Sequence, residues 1–390
     1  MRSPRELLWF MQVGQRPWRE LHWLSLMPDT HVTSVGSPAP PEAVTHVSSR
    51  YRQPTQRFIE AGAMAWLRDL DRAPTEVDWV SSLEPFSLTT GQAARFAKRH
   101  DRRLAVLMWH NFKETPLYKL PGYRNAWLAS RDADFFLTLI DASRRHILDM
   151  GVEPERVDCV LPGIDTRVFT PPVSPVEEPV VAFISPLRNN KGLDRVLLAF
   201  DRVLGAVPDA RLVIAGTGED EAMARAAADG STRIDYLGGL DQTGVADLMR
   251  RCAVFVTAPR ATRMWNEQFG LVYLEAMASG MAVVTTASGT NGEAVKEPNK
   301  RMPDDVDRIA DALVELLEDP TRRAEIARAN RTWVVDNHDV RTQARRMGEA
   351  FTRAEERVGG RHQHDQRDDA VGRADHRRPG QREHRGPDAP

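Results

Sequence analysis

The sequence predicts an α/β protein of two domains, each built on a parallel sheet of βαβ units. Short apolar, β-branched runs such as VVAFI (180–184), AVFV (253–256) and LAVLMW (104–109) alternate with amphipathic helical patterns, as βαβ units of a sheet buried on both faces require. A proline-rich stretch, TPPVSPVEEP (170–179), interrupts the alternation and reads as a stiff linker. The 390 residues, 41% of them hydrophobic, suffice for two cores.

Composition narrows the function classes. A formal net charge of −2 gives no global reason to bind nucleic acid. The two cysteines, Cys159 and Cys252, each adjoin an apolar run and have no CxxC partner, so they read as buried free thiols in a reducing compartment. LLWFMQV near the N-terminus is too short to span a bilayer and lacks a small-residue cleavage pattern, which points to a cytoplasmic protein and leaves the inner face of the membrane open.

In chain order, Leu7–Val13 reads as the first strand, ended by Gly14. Pro17 then opens a helix through WRELHWLSLM, because proline fits the first helical position. Trp18 and Trp23 stand about 140° apart round its axis, so at least one is expected to bury against the sheet. His31–Val35 is a second strand, followed by a Pro-, Ser- and Thr-rich loop to about Pro54 and a helix to about Leu70. Tyr51, Arg52, Arg57 and Phe58 combine aromatic and positive side chains there; a solvated surface helix is the plainer reading, an anionic acceptor or lipid head group the functional one. Val77–Phe112 is a βαβ unit whose helix is capped by Ser87 or Thr89 and closed by Lys98, Arg99 and His100, as the helix dipole favours. Its second strand delivers His110 at the carboxyl end, where side chains enter the crevice of an open sheet; a loop histidine bonded to a carbonyl is the alternative. Ala133–Phe169 supplies a strand, a helix with Ser143 near its start and Gly151 at its end, a closing strand, and a sharp Pro162-Gly163 turn with Asp165 as a turn former.

The second domain opens with a strand, a basic loop and a helix over Val180–Phe200. Arg188 and Lys191 fall where a diphosphate would lie, although two solvated basic residues would look the same. Ala210–Glu221 runs from a strand into a turn whose lone Gly216-x-Gly218 is poor evidence for a dinucleotide site. After a strand in IDYLGGL and a helix in VADLMRRC comes the stretch on which the chain turns. There AVFV ends at Pro259, Glu267-Gln268-Phe269-Gly270 leads into the helix LVYLEAMASG, and AVVTT follows Gly280. This order sets the N–H groups of Leu271 and Val272 toward the ligand crevice, ready for an anion. Glu267 and Glu275, with seven residues between them, can hold one ligand at two points; in isolation such a pair is usually a solvated face. Gly289 and Gly292 form a loop beside them, and two amphipathic helices follow, the first closed at Asp319-Pro320. Asp339–Val358 keeps helical apolar spacing; from Gly359 the composition is too polar to offset its ordering entropy, so residues 359–390 read as a disordered tail.

The Glu-x7-Glu pair within EQFGLVYLEAMASGMAVV, the Pro-Gly-hydrophobic-Asp turn at 162–165 and Lys191-Gly192 together resemble the retaining glycosyltransferases of family 4, over about Leu7–Val358. The resemblance implies a GT-B fold, two Rossmann-like domains whose parallel sheets face a central cleft: an acceptor-side domain at 1–169, the linker 170–179, a nucleotide-sugar domain at 180–338, and a helix at 339–358 crossing back onto the first domain. It implies transfer of a sugar from a nucleoside-diphosphate sugar to a hydroxyl of a glycan, lipid-linked or small-molecule acceptor, with retention of anomeric configuration. Under it Glu267 contacts the donor sugar, Glu275 the ribose, and Phe269, Gly270, Leu271 and Val272 line the donor. Lys191 and Arg188 carry phosphate charge, Gly14 approaches the phosphates, and His110 lies near the transferred sugar. No metal is expected, since no DxD-like carboxylate pair ends a strand, and no cofactor beyond the donor substrate. The acceptor side leaves open a peripheral membrane contact through the N-terminal domain.

Two departures stand out. Ser185-Pro186 occupies the family's Gly-Arg position, so that Arg188 would act from a shifted place, and KEPNKRMPDD (296–305) replaces a glycine turn and a strand and is shorter, so an edge element is expected to be missing or degraded. They keep two rivals in play: a nucleotide-sugar-binding or scaffolding homologue without activity, and a sugar epimerase of the same architecture, which would need further acid–base carboxylates in the cleft.

Overall fold

The computed structural model describes residues 3–11, 18–37, 39, 44–52, 65–110, 120–262 and 265–375. Gly14, Pro17, Arg57, Phe58 and residues 376–390 lie outside them. The first sheet is built from β1 (Arg5–Phe10), α1 (Trp18–Ser25), β2 (Thr30–Gly36), β3 (Thr45–Ser48), a small antiparallel ribbon of β4 (Tyr51–Arg52) and β5 (Trp66–Leu67), β6 (Trp79–Leu83), α2 (Leu88–Arg99), β7 (Arg103–Met108), α3 (Pro121–Ser130), β8 (Phe135–Thr138), α4 (Asp141–Asp149) and β9 (Val157–Cys159). Seven strands pair in the order β3-β2-β1-β6-β7-β8-β9, all parallel. The second sheet uses β10 (Val180–Ile184), α5 (Leu193–Ala206), β11 (Arg211–Ala215), α6 (Glu221–Gly230), β12 (Ile234–Tyr236), α7 (Gln242–Met249), β13 (Val254–Thr257), α8 (Leu271–Ala278), β14 (Ala282–Thr286), β15 (Lys300–Met302), α9 (Val306–Glu318) and α10 (Pro320–His338). Its order is β12-β11-β10-β13-β14-β15, again all parallel. In each sheet the chain begins centrally, grows to one edge and returns to grow to the other. The order therefore reverses between β1 and β6 and between β10 and β13, where doubly wound sheets open a ligand crevice.

The period of two along a strand sorts the core into layers. In β1, Leu8 and Phe10 join the outer layer under α2, while Leu7 and Trp9 join an inner cluster continuous through both domains. A third layer, with Val181, Phe183, Val254 and Val284, packs under α5 and α9. The chain crosses back through Ile164, whose N–H donates to the His338 carbonyl at 2.9 Å and whose carbonyl accepts from Val340 N–H at 2.9 Å. His338 is fully buried, its Nδ1 donates to the Pro162 carbonyl at 2.8 Å, and burial lowers its pKa to about 4, so it is neutral. α11 (Val340–Asp375) then lies on the first domain. Phe351 meets Trp79 and Phe135 edge-on at 5.4 and 5.2 Å, and Glu355 accepts from Arg5 Nε at 2.6 Å and Trp79 Nε1 at 3.0 Å.

Several expectations change. The segment read as a loop to Pro54 contains β3 and β4; of the helix expected to end near Leu70, residues 53–64 lie outside the described residues and its last stretch holds β5 and a 3-10 turn at Leu70–Arg72. Strands this short are made by pairing with a neighbour, which no local periodicity reports. α3, on which no expectation bore, opens with Pro121 at its first position. The edge element expected to be missing or degraded is present as a short strand: β15 pairs with β14 through only Lys300, Arg301 and Met302. Part of the tail expected to be disordered is helical: α11 continues past Gly359 to Asp375, each further N–H bonding the carbonyl one turn back. Of the two thiols only Cys252 is buried, while Cys159 is half-buried; desolvation pushes them up to about 12 and about 11, so both are inert. Trp23 of α1 is buried, its Nε1 donating to the Gly163 carbonyl at 3.0 Å. Among the described residues no helix is long and apolar enough to cross a membrane.

Candidate active site

The loop after β10 and the loop after β13 meet at the second domain's crossover. Lys191 ends a 3-10 turn, Asn189–Lys191, that β13 pins from the side. Ala258 N–H donates to the Lys191 carbonyl at 3.2 Å and Arg260 N–H to the Asn190 carbonyl at 3.0 Å. The Arg260 guanidinium reaches the Asn189 carbonyl at 2.7 Å and Asp194 at 3.1 Å. Gly192 follows at φ 75, with the Ala258 carbonyl where a Cβ would stand, so only glycine lets the turn lie this close. Held in this way, Lys191 Nζ donates to Glu267 Oε2 at 2.5 Å and lies 4.8 Å from the Trp265 ring centroid. The pair is largely desolvated, with side chains 18% and 11% exposed, so each charge depends on the other. Arg188 starts the same turn and is half-buried.

α8 begins immediately behind Glu267. Its N-cap, Gly270, is left-handed at φ 80 and offers no side-chain cap, which leaves the first-turn N–H groups to the crevice. Leu271, Val272 and Glu275 are the half-buried residues of an otherwise buried helix. Glu275 sits one turn past Leu271 and therefore on the same face. Tyr273, fully buried, ties the helix to the sheet through hydroxyl contacts with Thr257 at 3.1 Å and Thr285 at 3.0 Å.

Across the cleft His110 follows β7, half-buried, with its ring 5.9 Å from Phe86 and 5.6 Å from His146. Beside it, at the first domain's crossover, is Glu84. Its Oε1 accepts from Trp109 N–H at 3.0 Å, and desolvation raises its pKa to about 8, with the Glu20 carboxylate adding and the N–H groups of Trp109 and His110 opposing. Trp109 Nε1 donates to the buried Glu20 at 2.8 Å. The Phe269 side chain does not face the cleft opening; it is buried between Trp109, at 6.4 Å, and His338, at 5.8 Å. That ring contact joins the two halves, since Trp109 precedes His110 and Phe269 lies two residues after Glu267.

Sequence reasoning singled out Lys191, Arg188, Glu267, Gly270, Leu271, Val272 and Glu275, which the structure gathers around one crossover, and His110, which it sets on the facing domain. Gly14 is outside the described residues. It missed Arg260, Trp265, Glu84 and Glu20. A carboxylate directly after a strand, as in Leu83-Glu84-Pro85, was the readable signal for Glu84; the others are visible only through contacts distant in sequence.

Comparison with known proteins bears on this arrangement. The family model for glycosyl transferases group 1 matches residues 166–333. A GDP-mannose-dependent monoacylated alpha-(1-6)-phosphatidylinositol monomannoside mannosyltransferase of Corynebacterium glutamicum is 30% identical over 282 residues, covering 66% of this chain and 72% of the relative. A GDP-mannose-dependent alpha-(1-6)-phosphatidylinositol monomannoside mannosyltransferase of Mycolicibacterium smegmatis is 28% identical, covering 71% and 76%. Among solved structures, Anabaena HepE in complex with UDP and glucose superposes with a TM-score of 0.66 at 17% identity, covering 89% of this chain and 99% of that one. WaaG, a glycosyltransferase involved in lipopolysaccharide biosynthesis, does so at 0.59 and 15%, covering 88% and 98%. With this fold and these relatives, the chain belongs to the glycosyl transferases group 1 family and is a GT-B glycosyltransferase.

Proposed function

We propose that this enzyme transfers a hexose from a nucleoside-diphosphate sugar to an acceptor hydroxyl with retention of anomeric configuration. GDP-mannose is the first donor to test and a phosphatidylinositol mannoside the first acceptor, because two relatives at about this level of identity carry those names. The observation that carries the reading is the Lys191–Glu267 pair, held at the sheet crossover in front of an uncapped helix start. A donor diphosphate competes with Glu267 for Lys191. Once Lys191 turns to the phosphate it stabilises the charge that grows as the sugar–oxygen bond breaks, and the N–H groups of Leu271 and Val272 add to it. Glu267, released, accepts from the donor sugar's hydroxyls, and Glu275 from the ribose. Arg188 supplies further positive charge to the phosphates in place of the family's Gly-Arg position. His110 orients the transferred sugar from the other domain. The acceptor proton passes to a phosphate oxygen on the face the leaving group departs from, which retains the configuration and leaves the protein mainly to position and stabilise. The reading needs no metal and no cofactor beyond the donor substrate. A lipid-linked acceptor would place the enzyme at the inner face of the membrane.

Titration calorimetry with GDP, GDP-mannose, UDP and UDP-glucose, repeated on Lys191→Ala and Glu275→Ala, tests this. Binding of one nucleotide that both substitutions weaken at least tenfold is the expected result, with the product anomer then read by NMR. No binding by the wild type would favour the scaffolding homologue suggested by Ser185-Pro186, and release of an isomerised sugar would favour the epimerase.

A further inference from the structure

The loop after β14 does two things at once. Thr290 N–H donates to the Glu267 carbonyl at 2.9 Å, and Glu293, three residues on, crosses to the other domain. Glu293 Oε2 accepts from Asp141 N–H at 2.8 Å and Oε1 from Ala142 N–H at 2.9 Å, with Arg145 NH2 at 3.4 Å. These are the first N–H groups of α4, whose own N-cap, Ile140, offers no side-chain acceptor. A helix normally caps itself with Ser, Thr, Asp or Asn in that position. Here the cap is supplied by the other domain, as a carboxylate only 17% exposed and aligned with the positive end of the helix. The loop carrying it is stiff: the buried Asn291 donates to the Thr286 carbonyl at 2.8 Å and accepts from Arg301 Nε at 3.0 Å.

We propose that Glu293 is a positioning residue that latches the two domains across the cleft and, because Thr290 in the same loop bonds Glu267, steadies the Glu267 loop when the cleft is closed. Thr290 and Glu293 are then two ends of one connector in the second domain, so opening the domains breaks the Glu293 contact and removes the outside restraint on the loop that Thr290 bonds to Glu267. The latch itself stands apart from the proposed chemistry, while its effect on donor affinity rests on that reading.

Two variants separate the latch from a simple loss of stability. Glu293→Ala removes the acceptor. Asp141→Pro removes one donor at the first helical position, behind an extended Ile140 (φ −147, ψ 153), where proline is well tolerated and α4 itself is kept. Small-angle scattering of the full chain should show a larger radius of gyration for both, with melting within a few degrees of wild type. In calorimetry with GDP-mannose, Kd should rise about five- to tenfold in both, with Glu293→Gln between them and wild type. Arg145→Ala, at an exposed guanidinium, should change neither readout. Wild-type scattering by Glu293→Ala and Asp141→Pro would overturn the latch whatever the donor does. Open scattering by both variants with unchanged donor affinity would overturn the coupling to Glu267. If wild type binds no nucleotide, the proposed function fails and scattering alone still decides the latch.

Discussion

Replacing Glu84 by glutamine isolates one desolvated carboxyl whose titration has a definite sign. The carboxyl has a folded pKa of about 8 against an ordinary 4.5, chiefly because burial penalises the charged form. Between those two values the native state holds a proton that the unfolded chain has released. Stability must therefore fall as pH rises from about 4.5 to about 8 and level off above. The fall is about 1.4 kcal/mol for each pH unit in mid-window, and about 4–5 kcal/mol across the whole of it. Glutamine keeps an acceptor for Trp109 N–H but cannot ionise. All other titrating groups are common to both proteins and cancel in the difference between their curves. Urea unfolding of wild type and Glu84→Gln at pH 5.5, 6.5, 7.5 and 8.5 should show the variant gaining on wild type by about 1 kcal/mol or more at each step up to pH 8. Parallel curves over that range would refute both the raised pKa of Glu84 and the reasoning from it.

Gly270→Ala should destabilise by about 3 kcal/mol in urea unfolding. An alanine at φ 80 costs about 1–2 kcal/mol, and its Cβ would meet the Tyr273 ring, which Thr257 and Thr285 hold in place. Phe351→Ala should cost about 3–5 kcal/mol and lower Tm, because it opens a cavity between α11 and the Trp79–Phe135 surface. His338 titrates in the opposite sense to Glu84. Its folded pKa of about 4 lies below the ordinary 6.5, so the unfolded chain takes up a proton first and stability falls as pH drops from 6.5 to 4. His338→Gln should lack that fall, which melting curves at pH 4.5 and 6.5 would register.

The sequence by itself determined the alternation of strands and helices, and the resemblance it carries singled out Lys191, Glu267, Gly270 and Glu275. These are local signals: β-branched runs, glycine at a helix boundary, carboxylates at a set spacing in one motif. What it did not determine has a common physical cause. β3, β5 and β15 exist only because a neighbouring strand offers a ladder, so their few residues carry no period of their own. Phe269, read as a donor contact, is an interdomain packing residue because Trp109 and His338 arrive from distant parts of the chain. Arg260 matters through a turn that precedes it by about seventy residues, and Glu293 through a helix start about 150 residues earlier. The tertiary structure decided these, since a hydrogen bond or a ring contact depends on distance in space and leaves no mark on the spacing of residues along the chain.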